Sequence, residues 1–277
     1  MTIEKTPHIH FVEDTNQSYY YWRPVKAKGI VHIVHGVSEM VTRYQDLAEK
    51  LLQSNYIVVA YDHYGHGPRA KTLKQLGQLP NHPVESMLTQ LDMIIKEVQS
   101  LHPDLPYFLL GHSMGGYITQ VYLQLYSSHI DGIILSGVSG RRPWMSVLPT
   151  LSKVLYLFGR NKANRWLHRL VFGKWPTDDT LIGFPLTNGL FMALAYLFAT
   201  KKRSHEIQKP TLLLIGHHDP LVWHLPLKIN HWVTLMIYTH RGHEVLMYHG
   251  KGDVYQDILT WLDNEIDSIH FSLESHK

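Results

Sequence analysis

Ser113 stands in the run LLGHSMGGYITQ (109–120), framed by Gly111 and Gly115 in a G-x-S-x-G pattern with His112 before it. Apolar residues 107–110 lead into this corner and a helical pattern leaves it. A strand–turn–helix corner of this kind exposes the serine oxygen at a helix N-terminus, where the backbone dipole favours negative charge. The flanking glycines are needed because side chains there would clash. The plain alternative is a helix N-cap serine after a glycine turn. A serine hydroxyl is a weak nucleophile until a base takes its proton. Asp219 in LLLIGHHDPLV and His243 in MIYTHRGHEVL follow two later apolar runs, in the chain order Ser, Asp, His expected for such a corner. His243 would then accept the serine proton, and Asp219 would orient the imidazole. The negative oxygen formed on attack needs amide donors. The expected pair is the N–H of Met114, just after the nucleophile, and that of Val37, just after His35-Gly36.

Other assignments compete for the same residues. The chain has 21 histidines, and His240 lies three residues before His243. A metal site of His217, His218, Asp219 and His243 is conceivable, but no H-E-x-x-H or comparable helical spacing supports it. The reading adopted has no metal and no organic cofactor. Asp62 and His63 in DHYGHG are read as structural, shaping the loops beneath the amide donors.

The elements that must position these groups are visible as short apolar runs alternating with helical periodicity. Runs 29–36, 56–62, 107–111, 132–137, 211–216 and 233–239 predict buried strands. Helices are predicted over 44–53, 83–100, 114–126 and 255–266. Such alternation implies an α/β fold with a mostly parallel sheet covered on both faces. Residues 8–12 and 18–22 predict a hairpin at one edge. The alternation stops between 140 and 206, which predicts a helical cap inserted into a core of 1–139 and 207–277. Residues 180–200 carry no charge, but Pro185, Asn188 and Gly189 interrupt them. A membrane span there would also split the sheet, so 190–199 is read as a buried helix.

The formal net charge is +3, yet no acidic residue lies between Asp131 and Asp178, where residues 141–174 hold eight lysines and arginines. Trp144, Phe158, Trp166 and Trp175 are interleaved with them. A basic, aromatic cap suits acyl chains and an anionic membrane surface; packing of the aromatics onto the sheet is the bland alternative. No nucleic-acid-binding module is recognisable. Cysteine is absent, excluding disulfides and thiolate chemistry. No signal-peptide-like apolar run opens the chain, so a cytoplasmic location, with peripheral membrane contact through the cap, is the expectation.

The stretches HIVHGVSEMVTRYQDLAEKL, VVAYDHYGHG, LLGHSMGG, IGHHDPLV and GHEVL together resemble the α/β-hydrolase superfamily, in particular its monoacylglycerol lipase and lysophospholipase branch. The resemblance covers about 25–140 and 205–265, and touches the cap only through GFPLTNGLF. It implies a serine hydrolase of lipid-like carboxylic esters, with Ser113, Asp219 and His243 as triad and the Val37 and Met114 amides as oxyanion hole. Acyl transfer through the same acyl-enzyme, or a non-catalytic ligand-binding or scaffolding member of the fold, are the alternatives. Two departures stand out. Met40 replaces a common polar residue, and the short segment between Asp219 and His243 implies an abbreviated helix.

Overall fold

The computed structural model describes residues 7–13, 15, 17–70, 72–126, 129–138, 148–159, 161–164, 166, 168–169, 184, 186–200, 207–219, 230–247 and 251–274. Among them lie strands β1 (His8–Phe11), β2 (Ser18–Trp22), β3 (Gly29–Val34), β4 (Tyr56–Ala60), β5 (Tyr107–His112), β6 (Gly132–Ser136), β7 (Thr211–Gly216) and β8 (Val233–Tyr238). They form one eight-stranded sheet in the order β1-β2-β4-β3-β5-β6-β7-β8. The β1–β2 and β2–β4 pairs are antiparallel, and every pair from β4 to β8 is parallel. The predicted N-terminal hairpin is the antiparallel edge.

Strand period decides which side chains meet which helices. Ile30 and Val34 of β3, and Tyr107 and Leu109 of β5, face one core; Val31, Ile33, Phe108 and Leu110 face the other. On the first face pack α2 (Pro83–Leu101), α3 (Met114–Tyr126) and α5 (Asn188–Thr200), through Leu91, Ile95, Ile118 and Leu194 among others. On the second pack α1 (Gln45–Gln53) and α6 (Gly252–Glu274), through Leu47, Leu51, Ile258 and Leu262. With both faces covered, the central strands carry unbroken apolar runs, which is why they are legible as buried. Helix α4 (Leu148–Leu157) and α5 lie in the chain between β6 and β7 and pack on each other. No helix among the described residues is long and apolar enough to cross a membrane.

Several boundaries differ from expectation. Tyr44 ends a 3-10 turn (Val41–Tyr44) that precedes α1. Helix α6 runs to Glu274, well past the predicted 266; its last two turns are largely exposed, so no apolar stripe marks them. Strand β8 is not a buried strand. It is the sheet's outer edge, and Ile237 is 54% exposed. The predicted abbreviated helix falls in 220–229, outside the described residues, as do residues 140–147 and 170–183 of the expected cap, Trp144 and Trp175 among them.

The β5–α3 corner is built by close backbone approach. Ser113 has φ +50°, in the left-handed region that L-residues avoid. A Cβ on Gly115 would lie 1.9 Å from the Val34 carbonyl oxygen, and one on Gly111 2.6 Å from Gly116 Cα. We expect Gly115→Ala to force β3 and α3 apart and to lower stability by about 3 kcal/mol or more. Urea unfolding checks this; an unchanged midpoint would refute the contact.

Candidate active site

The corner's hydroxyl meets side chains delivered by two later loops at the carboxyl ends of β7 and β8. His243 Nε2 lies 2.9 Å from Ser113 Oγ, and His243 Nδ1 lies 2.8 Å from Asp219 Oδ2. With Nδ1–H donated to the carboxylate, the Nε2 lone pair accepts the serine proton's hydrogen bond. Asp219 is fully buried. The two loops are laced together: the His217 amide donates to the Tyr238 carbonyl at 2.9 Å and the His218 amide to the Arg241 carbonyl at 2.8 Å. A Cβ on Gly216 would lie 2.1 Å from the Gly242 carbonyl oxygen, so only glycine permits this approach. His217, His218 and His240 are exposed. Among the described residues, the alternative set His217, His218, Asp219 and His243 does not assemble as a cluster of metal ligands.

The expected amide donors belong to the loop after β3 and to the start of α3. Met114 is the first, fully buried residue of α3. Val37 is half-buried in the loop after β3. That loop is held from beneath by Glu39, whose Oε1 accepts from the Gly36 N–H and, at 2.8 Å, from the Tyr44 hydroxyl. Glu39 Oε2 pairs with Arg43 at 2.5 Å, and the same guanidinium reaches Glu244 Oε2 at 3.1 Å. Glu244 in turn lies 3.7 Å from His112 Nε2, and the His112 and His243 rings are 5.1 Å apart. Burial pushes the His112 imidazole down, but the Glu244 carboxylate outweighs it and holds the ring above its ordinary value. Burial acts upward on Glu244, but His112, Arg43 and His243 together hold its carboxyl far below the usual range. In the sequence, Glu39, Arg43, Tyr44 and Glu244 are only letters of the stretches HIVHGVSEMVTRYQDLAEKL and GHEVL, with no role attached to them. The available signals were the four-residue spacing of Glu39 and Arg43, and Glu244's adjacency to His243.

Asp62 and His63 sit where the loops need support. Asp62 Oδ1 accepts from the Val41 amide at 2.9 Å, and Oδ2 from the Tyr20 hydroxyl at 3.1 Å. Burial raises its carboxyl to about 6. The His63 amide donates to His35 Nε2 at 3.1 Å, and His63 Nε2 bonds the His35 carbonyl at 3.0 Å. Rings of His35, His63 and His66 cluster in tilted and edge-to-face contacts, with centroids 4.2–5.8 Å apart. Burial pushes all three down, to about 3 for His63 and about 4 for His66.

A parallel sheet of this order, with a serine at the corner after β5 and its partners after β7 and β8, defines an α/β-hydrolase. The chain belongs to the serine aminopeptidase S33 family (Hydrolase_4), whose profile matches residues 25–247. It is 33% identical over 264 residues to the monoacylglycerol lipase of Mycolicibacterium smegmatis, covering 88% of this chain and 91% of that one. It is 33% identical over 168 residues to mouse monoglyceride lipase, covering 60% of this chain and 52% of that one. The chain thus spans about half the length of the rodent relatives it matches. Its fold is similar to a Bacillus coagulans carboxyl esterase solved with glycerol, with TM-score 0.78 and 22% identity over 94% of this chain and 98% of that one. The family and the fold are those of the α/β-hydrolases, and the similar proteins are named as lipases and an esterase.

The histidine cluster yields a pH prediction. Its rings take up protons near pH 6.5 when unfolded but only well below that when folded, so stability is lost as pH falls from 6.5 towards 4. Asp62, raised to about 6, opposes this in part. We expect His66→Phe, which keeps the ring packed on Phe184, to flatten the slope by about 1.4 kcal/mol per pH unit between pH 6 and 4.5. Urea midpoints across that range measure it, and equal slopes for both proteins would refute the assignment.

Proposed function

We propose that the protein hydrolyses carboxylic esters of lipid-like molecules, monoacylglycerols and lysophospholipids foremost, through a Ser113–His243–Asp219 triad. The observation that carries the reading is the continuous hydrogen-bonded line from Ser113 Oγ through His243 to Asp219, 2.9 and 2.8 Å per step. His243 Nε2 takes the hydroxyl proton as Ser113 Oγ attacks the ester carbon. Asp219 stabilises the imidazolium so formed. The Val37 and Met114 amides receive the negative oxygen, a role typically worth about 3–4 kcal/mol per donor. His243 returns the proton to the departing alcohol, and water repeats the sequence on the acyl-enzyme.

The lipid-like substrate is supported by the similarity to monoacylglycerol lipases and by the cap, which comprises residues 140–206 in this reading. Leu157, Phe158 and Trp166 are 83, 74 and 69% exposed, with Lys162 and Arg169 exposed beside them in sequence. Apolar side chains displayed among cations suit an anionic lipid surface. Vesicles containing phosphatidylserine should therefore float the parent protein, and Phe158→Ser with Trp166→Ser should abolish flotation. Flotation unaffected by the double substitution would remove the membrane role.

Ser113→Ala should lower kcat/KM for p-nitrophenyl butyrate by on the order of 10⁴–10⁶. A fluorophosphonate should label the parent at Ser113 only. Turnover of aminoacyl p-nitroanilides exceeding that of esters would instead favour a peptidase. A folded Ser113→Ala protein as active as the parent would end the proposal.

A further inference from the structure

Two side chains that the proposed hydrolysis does not use, His112 and Glu244, lie beside the triad base His243. His112, His243 and Glu244 each offer one ligating atom, and the three atoms lie within 4.8 Å of one another. Two imidazoles and a carboxylate suit zinc and its first-row neighbours, whereas magnesium and calcium prefer oxygen throughout. Tetrahedral zinc, with bonds of ~2.0–2.2 Å, spaces its ligand atoms ~3.4 Å apart. The His112 Nε2 to Glu244 Oε2 distance, 3.7 Å, is already close to that. The remaining closure falls to His243 and Glu244, whose side chains are 15 and 39% exposed, so an ion reaches them from solvent. Facing the set are the carboxylates of Asp219 and Glu39 and the guanidinium of Arg43. With Glu244 that makes three carboxylates against one fixed cation, a field that draws a dication.

We propose that His112, His243 and Glu244 form a binding site for a divalent transition-metal ion of the zinc type, and that its occupation silences Ser113. Both ring nitrogens of His243 are already engaged, Nδ1 by Asp219 and Nε2 by Ser113. An ion on Nε2 takes the base from the nucleophile; an ion on Nδ1 takes the orienting carboxylate from the base. Either way the proton relay is cut, with no covalent change. Metal binding stands on these three residues alone, whereas the inhibition rests on the proposed hydrolase reading.

The test uses the full chain freed of metal by chelation. Zinc chloride should inhibit p-nitrophenyl butyrate hydrolysis reversibly at micromolar concentration, and EDTA should restore the rate. Glu244→Gln and His112→Asn, each referred to its own metal-free rate, should need roughly tenfold or more zinc for half-inhibition, as loss of a ligand requires. Cobalt(II) added to Ser113→Ala should give the visible absorption of a four-coordinate ion, and His112→Asn on that background should abolish it. The cobalt signal decides binding even if no esterase activity is found. No zinc inhibition of an active parent, equal inhibition of parent and both variants, or no cobalt absorption overturns the proposal.

Discussion

Everything at this site depends on backbone segments approaching one another more closely than a Cβ allows. Gly115 lets the start of α3 rest on the Val34 carbonyl, and Gly216 lets the loop after β7 rest on the Gly242 carbonyl. One sets the corner beside the Val37 loop, and the other sets His243 beside Asp219. The parallel sheet makes both possible, because β3, β5, β7 and β8 all end at the same rim. Side chains more than a hundred residues apart then meet without any of them needing to be flexible.

Close approach costs desolvation, and the buried polar groups show how this is offset. Glu39 is almost fully buried, yet its carboxylate receives the Gly36 amide, the Tyr44 hydroxyl and Arg43. Removing any donor would leave a buried charge short of a partner, which is worse than never having buried it. The histidines beneath the loop take the other course and stay neutral. His35, His63 and the nearby His32, the last pushed to about 3 by burial, bond as uncharged donors and acceptors. One side of the Val37 loop is thus held by charge and the other by neutral ring packing.

The legible part of this arrangement was local. The Ser113 corner shows in sequence because glycine spacing and a strand–helix switch occupy one short stretch. Asp219 and His243 show because each follows a strand, and strands buried on both faces read as apolar runs. Edge strand β8 was misread as buried for the converse reason: Val233, Leu235, Met236 and Ile237 are apolar, but only partly covered. The bond between Arg43 and Glu244 spans 201 residues and has no periodic signature. Glu244 appears as an ordinary acidic residue until the fold turns it towards His112. The far end of α6 went unread because its exposed turns need no apolar stripe.

Electrostatic balance links the chemistry to the metal site. In the proposed mechanism, attack by Ser113 creates an imidazolium and an oxyanion together, so the surroundings must favour the first without penalising the second. Asp219 supplies negative charge on the imidazole side. Glu39 and Glu244 add more, and left uncompensated they would raise the cost of the oxyanion near Val37. Arg43, bonded to both, cancels part of that field where the Val37 loop passes. What remains is a modest excess of negative charge centred on His243. In the proposed reaction that excess would stabilise a transient imidazolium, and for the same reason it would hold a small dication in the proposed metal site. On both proposals, proton and metal ion are drawn by one set of charges and compete for one ring, so the feature that would make His243 an effective base would also open it to capture.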